Sequence, residues 1–192
     1  MIDRIWTKHL GLATICFGGL GALIYGLMMT VTLAHIEAIS GQVPFDMRPM
    51  GYNPQDAAAL LEGLGVEGRR YYLSYQIPLD TVYPALLALT LITTICWFGQ
   101  RIPKSRLVRI GVFLSIGSAL FDYAENLGII AMIWSWSDVS ALLVYAVSTA
   151  TILKSALTTV AVMLTLCIGF VWMRQAKRGP SPSWSTDSAK NG

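Results

Sequence analysis

The chain has 192 residues, of which 54% are hydrophobic and only 13% are charged. A soluble domain carries about 25% charged residues, so this composition excludes an ordinary soluble protein and indicates a membrane protein. The formal net charge of +3 does not indicate nucleic-acid binding, because the sequence has no stripe of basic residues with interleaved aromatics.

The first apolar run covers residues 10–34. It is longer than the roughly 7–15 residues of a signal-peptide core, so we interpret it as a retained transmembrane span. Gly18, Ala22 and Gly26 recur in it at intervals of four residues. Small residues at this spacing let two helices approach closely, which predicts a neighbouring helix on that face.

Residues 35–79 are more polar, and we predict a small helical cap there, between the first and second spans. Asn53 is a favourable N-cap and Pro54 suits a first helical position, so one helix is predicted over residues 54–64, ended by Gly65. A second helix is predicted over residues 66–76. Pro78 should break or bend the chain where it enters the membrane.

Four polar side chains are candidates for contacts within the cap: Asp46, Arg48, Arg69 and Arg70. We expect Asp46 and Arg48 to hold the irregular loop 41–51 in place. Arg69 and Arg70 either face solvent or lipid, or reach a phosphate or a carboxylate of the cap.

Three further apolar runs predict spans over residues 80–98, 108–134 and 141–173. The last exceeds the roughly 20 residues needed to cross a bilayer, so it should tilt, project from the membrane or bend near residues 149–151. We therefore predict an all-α fold, an integral membrane four-helix bundle that forms one transmembrane domain over residues 1–178. Residues 179–192 are predicted to be a disordered cytoplasmic tail.

Basic residues predict the orientation of the bundle. They gather before the first span, in the loop 101–109 and after the fourth span, which all lie on one side of a four-span protein. Cytoplasmic loops of membrane proteins carry an excess of Lys and Arg. Both termini should therefore face the cytoplasm, and the cap should be extracytoplasmic.

Charged and amide side chains interrupt the third span. Asp122, Glu125 and Asn126 are three or four residues apart, so they project from one side of a helix. Small and polar residues continue this face at Ser118, Ser115 and Gly111. Ionisable side chains within a membrane are costly, so the face should meet protein or water, and it indicates a functional site.

Asp80 and Lys154 are expected at a similar depth to Asp122 and Glu125, from the rise of about 1.5 Å per helical residue. The sequence thus predicts a common pocket beneath the cap, in which Lys154 pairs with one of the three carboxylates because a buried charge needs a partner. Polar faces of the second and fourth spans should complete it: Asp80, Tyr83, Leu87, Thr90 and Thr94, and Ser148, Thr151, Ser155, Thr158 and Thr159.

Simpler alternatives stay open for these residues. Asp80 could be the N-cap of the second span, and Lys154 could extend to the lipid head groups. Asn126 and the hydroxyl side chains could serve only to join helices.

No residue pattern indicates a cofactor or a metal site. Three cysteines lie in separate apolar runs and both histidines are isolated: Cys16, Cys96, Cys167, His9 and His35. The sequence has no CxxC, HExxH or P-loop pattern. We therefore predict neither a metal nor a bound cofactor.

Four motifs resemble those of a family of uncharacterised bacterial four-span membrane proteins. They are Pro44-Phe45-Asp46…Arg48…Gly51-Tyr52, Gly68-Arg69…Tyr72, Leu79-Asp80…Tyr83-Pro84 and Phe121-Asp122-Tyr123…Glu125-Asn126. This resemblance implies a multi-pass protein of the bacterial inner membrane and brings no settled activity. Four spans with acidic residues in a membrane cavity are also similar, at the level of fold, to the EXPERA group of sterol isomerases and sigma-2-type receptors.

Three functions are compatible with these residues. In the first, which we favour, a cavity binds a small amphiphile or lipid; the carboxylates can act as acid and base, Tyr83 and Asn126 orient the ligand, and Lys154 balances charge. The second is proton- or cation-coupled transport through Asp122 and Glu125. The third is a non-catalytic subunit or assembly factor whose polar centre specifies helix pairing. The expected partners are the bilayer, the ligand, and a second copy or a larger membrane complex.

Overall fold

The computed structural model of the chain describes residues 2–100 and 106–177, with side chains for residues 9–100 and 106–174. Every regular element within these ranges is helical, and four helices are long and apolar enough to cross a membrane. They are His9–Ser40, Pro54–Gly99, Arg106–Trp134 and Ala141–Arg174. The predicted all-α four-helix bundle is thereby confirmed. The predicted tail, and residues 101–105 of the basic loop, lie outside the described residues.

The first span extends past its predicted end at residue 34. Helix α1 (Ile2–Leu27) continues through a π-helical segment, Met28–Thr32, into α2 (Leu33–Ser40). Neither Gly nor Pro occurs between residue 34 and Gly41, and Gly41 ends α2 in the left-handed conformation with a φ of 63°. The helix of the first span therefore continues to Ser40, and the irregular part of the predicted cap begins at Gly41.

The cap contains a short 3₁₀ turn, Phe45–Met47, and helix α3 (Pro54–Tyr71). The side chain of Asn53 accepts a hydrogen bond from the N–H of Asp56 at 2.8 Å, and Asp56 accepts one from the N–H of Asn53 at 3.2 Å. This reciprocal pair fixes the start of α3, as predicted. Gly65, with a φ of 59°, divides α3 into two helices at the predicted position.

The expected break at Pro78 is absent. A second π-helical segment, Tyr72–Gln76, joins α3 to α4 (Ile77–Gly99), and Pro78 lies in the first turn of α4. The π-helical turn changes the hydrogen-bonding pattern just before Pro78, so the N–H that proline lacks is accommodated. Asp80 consequently lies inside a continuous helix, and its interpretation as an N-cap is wrong.

The last two spans are single helices, α5 (Arg106–Trp134) and α6 (Ala141–Lys177). Helix α6 has no break near residues 149–151, and its 37 residues correspond to about 55 Å, more than a ~30 Å bilayer core. Helices α4, α5 and α6 pack against one another, whereas α1 packs mainly on α4.

Glycines of α1 bring it close to α4, but at a different spacing from the predicted one. A Cβ added to Gly11, Gly18 or Gly21 would lie within 3.6 Å of Trp97, Thr90 or Leu86, respectively. Gly26 has no such neighbour and Ala22 is exposed. The contacting glycines are therefore spaced by seven and three residues and not by four. Of the predicted positions Gly18, Ala22 and Gly26, only Gly18 takes part in the glycine contact with α4.

The main apolar core lies between the cap and the bundle. Its fully buried side chains come from α2, the loop before α3, α3 itself, the second π-helical segment and the neighbouring turn of α5: Ile36, Phe45, Leu60, Leu61, Tyr72, Ile129 and Met132. The cap is thus packed onto the bundle as part of the same fold. The candidate site lies directly beneath it.

Candidate functional site

The polar face of α5 is turned inward along its whole length. Its members are all buried: Gly111, Ser115, Ser118, Asp122, Glu125 and Asn126. Their spacing of three and four residues places them on the side of α5 that packs against α4 and α6. The sequence prediction that this face meets protein is confirmed.

Lys154 of α6 pairs with two carboxylates of α5. Its Nζ lies 2.9 Å from Asp122 Oδ1 and also forms an ion pair with Glu125 Oε2. The other oxygen of Glu125 accepts a hydrogen bond from Thr151 Oγ1 at 2.8 Å. The Lys154 side chain is only 13% exposed. The predicted pairing is therefore confirmed, and the alternative in which Lys154 extends to the lipid head groups is wrong.

Asp80 of α4 faces the same region without such a partner. Its side chain is 3% exposed, and Oδ2 has no hydrogen-bond partner among the described residues. Asn126 donates from Nδ2 to the backbone oxygen of Asp80 at 2.8 Å, which joins α5 to α4 at this level. The amide of Asn126 therefore holds the helix turn that carries Asp80 through the backbone of Asp80 and not through its carboxyl group.

The loop before α3 brings a further carboxylate to this region. The N–H of Tyr52 donates to Ser148 Oγ at 2.8 Å, which fixes the loop to α6. Asp46 then turns inward, where Tyr72 donates to one of its oxygens and Gln76 Nε2 donates to the other at 3.5 Å. Asp46, predicted as a contact within the cap, thus also joins the membrane-embedded group.

These side chains surround a cavity of about 330 Å³, which we call the polar cavity. Its polar lining consists of Asp46, Asp80, Asp122, Lys154 and Tyr83, and its apolar lining includes Met28, Met29, Leu33, Met47 and Pro49. Of the predicted site residues, Glu125 and Asn126 do not line the cavity. The cavity therefore combines a charged wall with an apolar, methionine-rich one.

Tyr83 faces α1, where its ring stacks on Tyr25 with centroids 5.5 Å apart.

The predicted polar face of α4 is less polar than expected, because the hydroxyls of Thr90 and Thr94 donate to backbone oxygens of their own helix. Thr159 of α6 is exposed, since it lies at the edge of the predicted hydroxyl stripe. Its hydroxyl donates to the backbone oxygen of Ser155 at 2.8 Å.

The three arginines of the cap do not line the polar cavity. Arg48 donates to the backbone oxygen of Val43 at 2.9 Å and lies 3.8 Å from Asp56, so it holds the loop as expected. Arg69 donates to the backbone oxygen of Leu61 at 2.6 Å and lies over the ring of Trp136. Arg70 is exposed.

Sequence reasoning missed the two π-helical segments and the residues that join them. Thr32, in the first segment, donates to Gln76 Oε1, in the second, at 2.5 Å. Gln76 is fully buried and also reaches Asp46. Short π-helical segments frequently occur at functional sites. In the sequence, Thr32 and Gln76 are only polar residues near the ends of apolar runs. Such residues indicate the ends of helices and do not indicate π-helical segments.

Carboxyl groups outnumber basic side chains around the polar cavity. Asp46, Asp80, Asp122 and Glu125 supply four carboxylates, and Lys154 is the only basic side chain lining the cavity among the described residues. Burial raises the pKa of the nearby Tyr52 phenol above its ordinary value, and the charge of Glu125 raises it further. Tyr52 therefore stays neutral and does not change this balance. The polar cavity therefore has an excess of carboxyl groups over basic side chains among the described residues.

Comparison of the chain with protein-family models, with curated proteins and with solved structures gives no match. The resemblances to the uncharacterised bacterial family and to the EXPERA group stay predictions. Among the residues that the structure describes, no group of His, Cys, Asp or Glu side chains is close enough together to hold a metal ion.

Proposed function

We propose that this membrane protein binds a small amphiphile or lipid in the polar cavity, and that the head group of this ligand is a cation. The observation that carries the proposal is the carboxylate of Asp80, which is buried, lines the cavity and leaves Oδ2 without a partner among the described residues. A carboxylate in a low-dielectric site costs several kcal/mol unless a positive group or hydrogen-bond donors compensate it.

An ammonium group supplies what Asp80 lacks. It carries a positive charge and N–H donors, and hydrogen bonds between ionised groups are stronger than those between neutral groups. Asp46 and Asp122 line the same cavity, so up to three carboxylates surround the proposed position of the head group. Lys154 holds Asp122 in place and limits the excess of negative charge.

The apolar wall supports an amphiphile over a simple cation. Met28, Met29 and Met47 line the side of the cavity formed by the first π-helical segment and the loop. Methionine side chains are flexible and polarizable, and adapt to apolar ligands of irregular shape. The same carboxylates could exchange a proton with the bound head group, so any reaction of the ligand would use acid–base chemistry.

The distribution of basic residues supports an orientation with both termini in the cytoplasm and the cap outside, and the resemblance to a bacterial family supports the inner membrane as the location. In this orientation the polar cavity lies in the outer half of the bilayer. Ligand would then reach it from the outer leaflet or from the extracytoplasmic side.

Binding of n-octylammonium tests the proposal. In lipid nanodiscs, with the signal of empty discs subtracted, we expect the wild type to bind octylammonium and to bind octanol and octanoate at least tenfold more weakly. Asp80→Asn should weaken octylammonium binding by about ten- to a hundredfold, because a hydrogen bond to a charged group contributes about 1.5–3 kcal/mol. The melting temperature of Asp80→Asn should equal or exceed that of the wild type, since the substitution removes an unpartnered buried charge.

Asp138→Asn is the matched control, because Asp138 is exposed in the short connection between α5 and α6. It should bind octylammonium as the wild type does. Equal affinity for the amine and the alcohol, or wild-type amine binding by Asp80→Asn, would reject a cationic ligand. If no variant binds any of the probes, a subunit or assembly role, in which the polar centre only pairs helices, becomes the better interpretation.

Proton-coupled transport is a second candidate, favoured by a row of buried hydroxyls. Ser118 hydrogen-bonds to Thr158 and to the backbone oxygen of Lys154, and Ser115 is buried one turn farther from the cap. These groups lead from Asp122 toward the opposite end of the bundle. Carboxyl groups within a membrane commonly mark proton pathways.

Liposomes containing a pH-sensitive dye test this second candidate. If the protein transports protons, the wild type should dissipate an imposed pH gradient faster than empty liposomes, and Asp122→Asn should abolish the difference. Asp138→Asn again serves as the control. A wild type that leaves the gradient as stable as empty liposomes do would remove proton conduction along this row of hydroxyls from consideration.

A further inference from the structure

A second opening adjoins the polar cavity on the side facing α1. It has a volume of about 230 Å³ and lies between α1 and α4. It is lined by Gly18, Gly21, Ala22, Tyr25, Tyr83, Leu87 and Thr90, and we call it the crevice. Tyr25 and Tyr83 line both openings, so the crevice and the polar cavity meet at this stacked pair of rings.

The lining of the crevice is apolar apart from the two tyrosines. Thr90 contributes its methyl group, because its hydroxyl donates to the backbone oxygen of Leu86 at 2.7 Å while its Cγ2 faces Gly18. Gly18 and Gly21 contribute only backbone. No charged side chain from the described part of the chain lines this opening. An aliphatic chain is therefore its natural occupant.

The position of the crevice along α4 gives the chain a direction. Leu87 and Thr90 follow Asp80 by seven and ten residues, which corresponds to about 10 and 15 Å along the helix. A ligand with its head group at Asp80 would thus extend its chain away from the cap, past the tyrosine pair and toward the middle of the bilayer.

We propose that the crevice holds the hydrocarbon chain of the ligand whose cationic head group lies in the polar cavity. This inference rests on the proposed function and adds the class of ligand, an alkyl amine or an amine-headed lipid with a chain along α1 and α4. The tyrosine pair forms the junction between head group and chain. Ala22, exposed at the crevice, controls how much chain the protein accommodates.

A chain-length series tests this assignment. We expect the affinity of the wild type for n-butyl-, n-hexyl- and n-octylammonium, measured in nanodiscs against empty discs, to rise by up to about fourfold per methylene, since burial of a methylene contributes about 0.8 kcal/mol. Ala22→Phe fills the crevice. Ala22→Phe should reduce the gain in affinity per methylene by at least half. Its affinity for butylammonium should stay within twofold of the wild type, because the short chain does not reach the crevice.

Gly19→Phe is the matched control, because it adds the same side chain to the same helix at an exposed position where an added Cβ meets no atom within 4 Å. It should keep the wild-type gain per methylene. If Ala22→Phe also keeps that gain, the chain lies elsewhere and the crevice assignment is wrong, although amine binding in the polar cavity stands. If the wild type binds none of the amines, both proposals fail.

Discussion

Lys154→Met is expected to lower the free energy of unfolding by about 3–5 kcal/mol, because removal of one partner of a buried ion pair leaves the other charge uncompensated. Here two carboxylates, Asp122 and Glu125, lose the same ammonium group. For a chain of this size the loss corresponds to a fall in melting temperature of about 6–20 °C. Thermal unfolding in detergent or nanodiscs measures it.

The triple variant Asp122→Asn/Glu125→Gln/Lys154→Met separates loss of charge compensation from loss of packing. It replaces all three charged side chains by neutral ones of similar size. We therefore expect it to regain at least half of the unfolding free energy that Lys154→Met loses. The Thr151 hydroxyl can still donate to the oxygen of a glutamine at position 125. A triple variant no more stable than Lys154→Met would show that the lysine stabilises the bundle by its aliphatic stem and not by its charge.

Gly51→Ala should have the second-largest effect, because it both strains the backbone and displaces the loop. Gly51 has a φ of 81°, and a Cβ there would lie 2.5 Å from Ser148 Oγ and 2.9 Å from Ile152 Cδ1. The left-handed conformation costs a residue with a side chain about 1–2 kcal/mol, and loss of the Tyr52–Ser148 hydrogen bond adds about 1 kcal/mol. We expect a total loss of about 2–3 kcal/mol in chemical or thermal unfolding.

Gly41→Ala provides the matched control, since Gly41 also has a positive φ, 63°, but an added Cβ there meets no atom within 4 Å. It should cost only the backbone strain. The same loop carries Asp46 into the polar cavity, so Gly51→Ala should also weaken octylammonium binding, whereas Gly41→Ala should not. Equal effects of the two substitutions on stability and binding would mean that the contact with α6 does not hold the loop in place.

The parts of the site that lie on regular helices were predictable from the sequence. Asp122, Glu125 and Asn126 share a face because the period of an α-helix is fixed, and their cost in lipid requires that this face be buried. The pairing of Lys154 followed from the same cost. Local signals at Asn53 and Gly65 likewise predicted where α3 begins and where it divides.

The inward position of Asp46 was not predictable, because it depends on contacts between distant segments. The loop is held by the burial of Phe45 and by the hydrogen bond from Tyr52 to Ser148. Tyr52 and Ser148 are 96 residues apart in the sequence. The glycine contact between α1 and α4 was predicted in kind but not in position, since several glycines in α1 offered alternative faces and only packing against α4 selects one.

The two π-helical segments have a consequence for insertions and deletions in this fold. A π-helical turn closes its hydrogen bonds over five residues instead of four, so it accommodates one more residue than an α-helical turn. Deletion of one residue within Tyr72–Gln76 would restore a regular α-helical turn and keep the cap in nearly the same rotation about α4, whereas conversion of this segment to α-helix at its present length would rotate the cap by about 100°. The π-helical conformation of Tyr72–Gln76, and not its length alone, therefore sets the rotation of the cap that brings Asp46 to the same cavity as Asp80.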